Sequence, residues 1–258
     1  MLSIANKWVL TLKVFGHGIG ILLATLLTQI GGLAWIIALM FRRRLLAFLL
    51  IYVGLWSATL VVAPQFGRVP LPCHGATLRA QSLFYCATAR HYVSPDLAEV
   101  AQDAADEMAQ RYPGTVTLYL DANLPFWDGF PLLPHLSHDD GEKLDLAFYY
   151  TDELGAYLPG KTRSLIGYWA FEALDQHICP EKWPTLRWDF AWLQPLWAKR
   201  PLEPVRTGAL VQILAADPRI SKLFLEPPMA ESLVLKGQKL RFQGCRAARH
   251  DDHLHVQL

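Results

Sequence analysis

Five of the nine histidines lie in two short runs, and the residues around them could bind a metal. One run is the C-terminal His250-Asp251-Asp252-His253-Leu254-His255; the other, His135-Leu136-Ser137-His138-Asp139-Asp140-Gly141, leads to Asp145. In the tail Leu254, Val256 and Leu258 alternate with their neighbours, so on a strand the imidazoles of His253 and His255 share one face. Residues 144–150 are an alternating apolar run that also reads as a strand, carrying Asp145, with His138 in the loop that feeds it. Two such strands side by side would offer His138, Asp145 and His255 to one metal ion. A mixed nitrogen and oxygen set of three suits zinc in an open site with water in the fourth position, whereas closed structural sites are richer in Cys. His253 is then the expected general base, because a neutral imidazole can take the proton of a metal-bound water. His250 and His135 are expected as further catalytic groups, hydrogen-bonding an oxyanion or the water, with Asp251 or Asp252 orienting an imidazole.

These residues carry a resemblance. His138, Gly141 and Asp145 resemble the His-x-x-Gly-x-x-x-Asp signature of the zinc peptidase superfamily that groups lysostaphin-like enzymes, D-Ala-D-Ala peptidases and the hedgehog signalling domain. The terminal His-Asp-Asp-His-Leu-His-Val, and residues 210–227 with Ala215-Ala216-Asp217-Pro218-Arg219, resemble the penicillin-insensitive murein endopeptidase branch. The similarity covers residues 116–258. It implies a Zn2+ cofactor, hydrolysis of amide bonds, and peptidoglycan peptides as partners. Lys143 departs from the pattern, where related enzymes carry a small or acidic residue, and this bears on the substrate pocket more than on the metal.

The elements that must position this chemistry follow an apolar first quarter. Residues 14–41 hold one His and no Asp, Glu, Lys or Arg, and residues 45–63 form a second uncharged run. Each approaches or exceeds the roughly 20 residues that cross a bilayer core. Arg42-Arg43-Arg44 separates them, which predicts a transmembrane helical hairpin over residues 1–63 with the Arg turn in the cytoplasm and both chain ends outside. Lys7 and Lys13 oppose that orientation. Thr28, Gln29, Gly31 and Gly32 are either a helix-packing face or ordinary anchor composition; such a face could also hold membrane-protein partners. The expected location is an inner membrane, with the soluble part in the periplasm.

All four cysteines follow the anchor, which fits an oxidising compartment. Three pairings are open to them; Cys73 with Cys86 and Cys179 with Cys245 is preferred, because the first closes a local loop and the second braces the segment before the tail. Free thiols are the alternative. Residues 64–93 are expected as a linker and the start of the soluble region, the Pro- and Gly-rich residues 64–72 letting the domain stand off the bilayer. Residues 94–258 form the expected peptidase domain. Within it Ser94-Pro95 starts a helix that ends near Tyr112. Residues 115–120 read as a strand, 164–176 as a helix, 206–216 as a helix and 220–225 as a strand. Four tryptophans between residues 183 and 197 mark an insertion over the site, and Phe126, Trp127 and Phe130 serve either a groove or the core.

The predicted fold class is therefore α+β: a small, mostly antiparallel sheet with flanking helices and a zinc site, behind the two-helix anchor. A net charge of +1 without a basic stripe excludes a nucleic-acid partner. Spans free of charged residues argue against a transporter. Two functions remain: a zinc metallopeptidase acting on cell-wall peptides, or a non-catalytic zinc-binding module of the same fold acting as an envelope scaffold.

Overall fold

The computed structural model describes residues 4–172, 179, 186–188 and 190–258. Three helices open the chain: α1 (Ile4–Thr28), α2 (Gly31–Ala38) and α3 (Arg44–Val62), the last prolonged by a 3-10 turn (Ala63–Phe66). Thr11–Thr28 and Arg44–Phe66 are long and apolar enough to cross a membrane, as the composition implies. The connection between them differs from a simple hairpin. Gln29 takes a positive φ of 61°, and the eight-residue α2 folds back against α1. The fold-back needs glycine. A Cβ on Gly32 would lie 1.9 Å from Thr25 Oγ1 and 2.8 Å from Ile21 O, and one on Gly31 would lie 2.8 Å from Ala24 O. The packing-face reading of Gly31 and Gly32 therefore holds for α1 against α2.

The ends of α1 and α3 meet at one residue. Phe126 donates its backbone N–H to Gln29 Oε1 at 3.0 Å, and its ring packs 5.1 Å from that of Phe66. The beginnings of α1 and α3 thus lie away from the soluble domain, with Arg42-Arg43-Arg44 on the same far side. This corrects the expectation that both chain ends share one side.

The stretch expected to be a linker is instead packed structure. Val69–Pro70 (β1) pairs antiparallel with Tyr92–Val93 (β3), and Leu71 joins the core. Between them lie Leu78–Ala80 (β2) and a short helix, Leu83–Ala87 (α4). The main sheet adds Thr117–Tyr119 (β4), Lys143–Ala147 (β5), Lys222–Phe224 (β6), Leu240–Arg241 (β7) and His253–Gln257 (β8), in the order β2-β4-β5-β8-β6-β7. Its central pairs are antiparallel and its two edge pairs, β2-β4 and β6-β7, are parallel. The main sheet is mixed, with three antiparallel pairs of its five, because each edge strand is reached by a crossover instead of a tight turn.

Helix α5 (Pro95–Arg111) starts as its signals require: Ser94 Oγ accepts from Leu97 N at 3.3 Å, with Pro95 in the first turn. Its Leu97, Val100, Ala101, Ala104 and Met108 stripe is buried in the core. Helix α6 (Pro204–Ala216) also packs here, capped by the Glu203 carboxylate accepting from Arg206 N at 2.5 Å. Pro227–Ser232 (α7) follows β6 in the crossover to β7, with Met229 in the core. Residues 164–172 are irregular rather than helical, and residues 173–176 of that expected helix lie outside the described residues. Of the four tryptophans, Trp183 lies outside them too; Trp192 sits in a 3-10 helix, Ala191–Leu196. Both preferred disulfides are present, Cys73–Cys86 and Cys179–Cys245, each with S–S 2.06 Å.

Candidate metal centre

Strands β5 and β8 pair in the register that the alternation requires, with Asp145 opposite His255 and Ala147 opposite His253. His253 and His255 therefore stand on one face with Asp145 between them. His138 comes from the loop, and its Nδ1 bonds the Ala122 carbonyl at 2.7 Å, which turns Nε2 toward the strands. That loop is held by Arg68, which is buried and bonds the carbonyls of Leu124 and Asp139 and the Asp128 carboxylate. Gly141 adopts φ 86°, and its carbonyl accepts from Ser94 N at 2.8 Å. A Cβ there would be strained and 3.2 Å from Arg68 Nε, so glycine is required.

Three atoms converge. His138 Nε2 lies 3.1 Å from His255 Nδ1, His255 Nδ1 lies 2.9 Å from Asp145 Oδ1, and His138 Nε2 lies 3.3 Å from Asp145 Oδ1. Ligands about 2.0 Å from a tetrahedral ion are separated by about 3.3 Å, so this triangle has the size of one face of a zinc coordination shell. The donors fit the metal in chemistry as well: two imidazoles and a carboxylate, all buried. His135 is a competing donor. His135, His138 and Asp145 offer ligand atoms that all lie within 4.8 Å of one another. His135 Nδ1 stands 3.3 Å from Asp145 Oδ2 and 3.1 Å from Asp121 Oδ2, but makes no hydrogen bond of good geometry to either. Cys73, Cys86 and His91 also cluster, but the two sulfurs are bonded to each other and offer no thiolates.

His253 stands apart from the triangle. Its Nδ1 bonds Asp252 Oδ1 at 2.5 Å, which leaves Nε2 facing the centre, 3.7 Å from Asp145 Oδ2. Asp252 is thus the acidic neighbour that orients an imidazole; Asp251 is turned away and pairs with Arg249. His250 packs against the rings of His253 and His255 at 4.9 and 5.6 Å, and its Nδ1 is buried without a partner. His135, His138, Asp145, His250, His253, His255 and Asp252 are therefore brought together, and Asp251 is not.

Three contributors were not singled out from the sequence: Tyr168, Asp121 and Arg90. Tyr168 donates its hydroxyl to Asp145 Oδ2 at 2.6 Å and accepts from Asp121 N at 3.0 Å. Asp121 is held by a bidentate contact with Arg90, at 2.6 and 2.8 Å. An acidic residue ending a strand just before a histidine loop was the only hint of Asp121, and nothing marked Tyr168.

Charge is concentrated and paired. Burial raises the Asp121 carboxyl, but the Arg90 guanidinium outweighs it and holds the group at about 2. Burial likewise opposes ionisation of Asp145, yet His138 and His253 keep it well below the usual carboxylate range. Burial disfavours the charged form of His253 as well, but Asp145 and Asp252 raise it to about 9. His255 is lowered to about 4 and His250 well below its ordinary value, mainly by burial.

The mouth of the site is lined by Pro134, His135, Tyr168, Trp188, Asp252 and His253. It shares Phe171 and Arg249 with a larger cleft of about 690 Å³ that is also lined by Arg163, Trp197, Lys199 and Arg200. The small mouth holds the chemistry and the large cleft adjoins it. Phe126 packs against the anchor instead of lining either cavity. Comparison of the chain with known family models found no matching family, and comparison with curated proteins found no significant match.

Proposed function

We propose that this chain is a membrane-anchored zinc metallopeptidase that hydrolyses amide bonds, its domain lying in the periplasm on an inner-membrane anchor and its substrates being peptidoglycan peptides. The observation that carries the reading is the 2.9–3.3 Å triangle of His138 Nε2, Asp145 Oδ1 and His255 Nδ1 beside the Asp252-oriented His253. When bound, zinc supplies a water of lowered pKa and polarises the carbonyl. His253 takes the proton at Nε2 and later returns it to the leaving amine, while Asp252 holds Nδ1–H and supports the transient imidazolium. With a cation held by His138, Asp145 and His255, the Asp145 charge that chiefly raises His253 would be offset, and His253 would keep the neutral ring a base requires. His135 lines the mouth, and His250 is buried behind it against the rings of His253 and His255.

The adjoining cleft supports a peptide substrate with free carboxylates. Arg163 and Arg249 there are already paired, with Glu172 at 2.8 Å and with Asp251, so the exposed Lys199 is a cation left to meet a substrate carboxylate. Orientation of the anchor follows its charges: with the starts of α1 and α3 on one side, Lys7, Lys13 and Arg42-Arg43-Arg44 all stand in the cytoplasm, and the domain outside.

The test is metal content with product analysis. The full chain, incubated with purified wall fragments, should release new amino and carboxyl termini visible by mass spectrometry, and a chelator should stop it. His138→Ala, Asp145→Ala and His255→Ala should lose both zinc and activity. Zinc bound without any hydrolysis would instead identify the non-catalytic module, and full zinc content in His255→Ala with loss in His135→Ala would transfer the third ligand to His135.

A further inference from the structure

We infer that the edge of the domain formed by Leu83 and Phe84 of α4, Trp127, and Leu133 and Leu136 of the histidine loop is seated in the phospholipid leaflet around α3, so that the mouth of the site opens at the bilayer surface. The inference rests on the reading of α1 and α3 as membrane spans, and is independent of the peptidase reading.

The span Arg44–Phe66 has 23 residues. At 1.5 Å per residue it is about 34 Å long, little more than a hydrocarbon core of about 30 Å. Three arginines hold its start at the headgroups. Contacts with the domain begin at Tyr52, about 12 Å along the helix. The Tyr52 hydroxyl donates to Ala87 O at 2.6 Å, Trp56 Nε1 donates to Cys86 O at 2.7 Å, and Thr59 Oγ1 bonds the Tyr92 hydroxyl at 2.6 Å. Ala63 then packs on Ala89 and Tyr92. These residues recur at helical spacing, so one stripe of the span, from Tyr52 to Ala63, carries the domain. The domain lies beside the helix rather than beyond its end, and lipid that surrounds the helix at this depth meets the domain as well.

The surface found there suits lipid. Residues 82–89 contain no charged side chain. Leu83 is 65% and Phe84 42% exposed. The carbonyls of Cys86 and Ala87, at the end of α4, are satisfied by anchor side chains instead of water, which a bilayer demands. Next in the chain, Arg90 lies over the Phe84 ring at 5.8 Å, has its charge buried against Asp121, and donates to Leu133 O at 2.8 Å. Leu133 and Leu136 are each about half exposed, on either side of Pro134 and His135 at the mouth. Trp127 is 58% exposed beside Phe126, which is itself packed on the end of the span. A rim of exposed apolar side chains therefore lies between the membrane helix and the mouth, interrupted beside Trp127 by the exposed Asp128 carboxylate, which pairs with the buried Arg68.

The test places single labels on the full chain in phosphatidylethanolamine–phosphatidylglycerol vesicles. Leu83→Cys and Leu136→Cys, each carrying an environment-sensitive fluorophore, are read against nitroxide-bearing lipids. Val53→Cys on α3 is the lipid reference, and Val234→Cys, beyond α7 at the far edge of the sheet, is the water reference. Labels at 83 and 136 should be blue-shifted and quenched several-fold more than the label at 234. If the label at 53 is quenched while those at 83 and 136 match 234, the rim is not in lipid and the inference fails with the spans intact. An unquenched label at 53 removes the spans, and the inference with them. Blue shift without quenching at 83 and 136 would mean that protein, such as a second copy, covers the rim, which also overturns it.

Discussion

His253 and Tyr168 touch the same carboxylate and serve it differently. His253 Nε2 stands 3.7 Å from Asp145 Oδ2 and is outside the ligand triangle. His253→Ala should therefore keep its zinc and lose ~10²–10⁴ in rate, the usual worth of a positioned acid–base group; undiminished hydrolysis would remove it from the mechanism. Tyr168 donates to Asp145 and accepts from Asp121 N, so Tyr168→Phe strands a buried N–H and one carboxylate oxygen. Stability should fall by about 1–3 kcal/mol, and zinc affinity, measured by chelator competition, by roughly 10–100-fold. Unchanged affinity would show that Asp145 is held without it. His91 gives the pH dependence. It is buried, stacked on Trp56 at 6.3 Å, and its Nδ1 has no partner, so burial lowers it to about 4 from an ordinary 6.5. A depressed imidazole contributes its full stability above the unfolded value and loses it as pH falls through the folded one. Between pH 6.5 and 4 the protein should lose on the order of 3 kcal/mol that His91→Phe does not. Parallel unfolding curves for the two proteins across that range would refute this.

At the scale of elements, the anchor depends on the close approach of α1 and α2. Gly32 meets Thr25 Oγ1 and the Ile21 carbonyl, whereas Gly54 on α3 has open space around it. Gly32→Ala should destabilise the full chain in detergent by about 1–3 kcal/mol through overpacking, and Gly54→Ala should be neutral or slightly stabilising. Equal melting temperatures for the two variants would show that the glycine contact does not hold the fold-back. The β5–β8 pair is the other decisive element, because its register sets Asp145 against His255. A one-residue slip of β8 would turn His253 and His255 to the face opposite Asp145.

At the scale of the whole molecule, the ends of α1 and α3 meet at Phe126, so the start of α1 and the end of α3 lie on opposite sides of any bilayer the two helices cross. A reporter that works only in the cytoplasm should be active when fused at the N-terminus, and one that works only outside should be active at the C-terminus. Activity of the same reporter at both ends would restore the simple hairpin.

Much of the site was legible in the sequence because its ligands sit on elements with local signatures. Alternation around Leu254 and Val256 declares a strand, and strand period alone puts His253 and His255 on one face; the His138–Gly141–Asp145 spacing is equally local. Uncharged run length marks the spans, and Ser94-Pro95 marks the start of α5. Tyr168 was invisible because it lies in irregular chain with no periodicity, and only folding carries its hydroxyl to Asp145. The fold-back of α2 was invisible for a related reason: residues 14–41 are apolar throughout, and hydropathy cannot see a turn made by a positive φ at Gln29 and two glycines. Residues 64–72 looked like a linker because Pro and Gly interrupt regular structure, yet they are tied into the fold by Arg68 and Leu71, whose partners are distant in sequence. The sequence by itself thus determined the two long apolar helices, α5, α6 and the strands β5 and β8, and with them the residue types of the candidate ligands. Tertiary structure alone decided the docking of the domain along α3, the supporting Tyr168 and Asp121, and the mixed order of the sheet, since each depends on long-range contacts that no local pattern encodes.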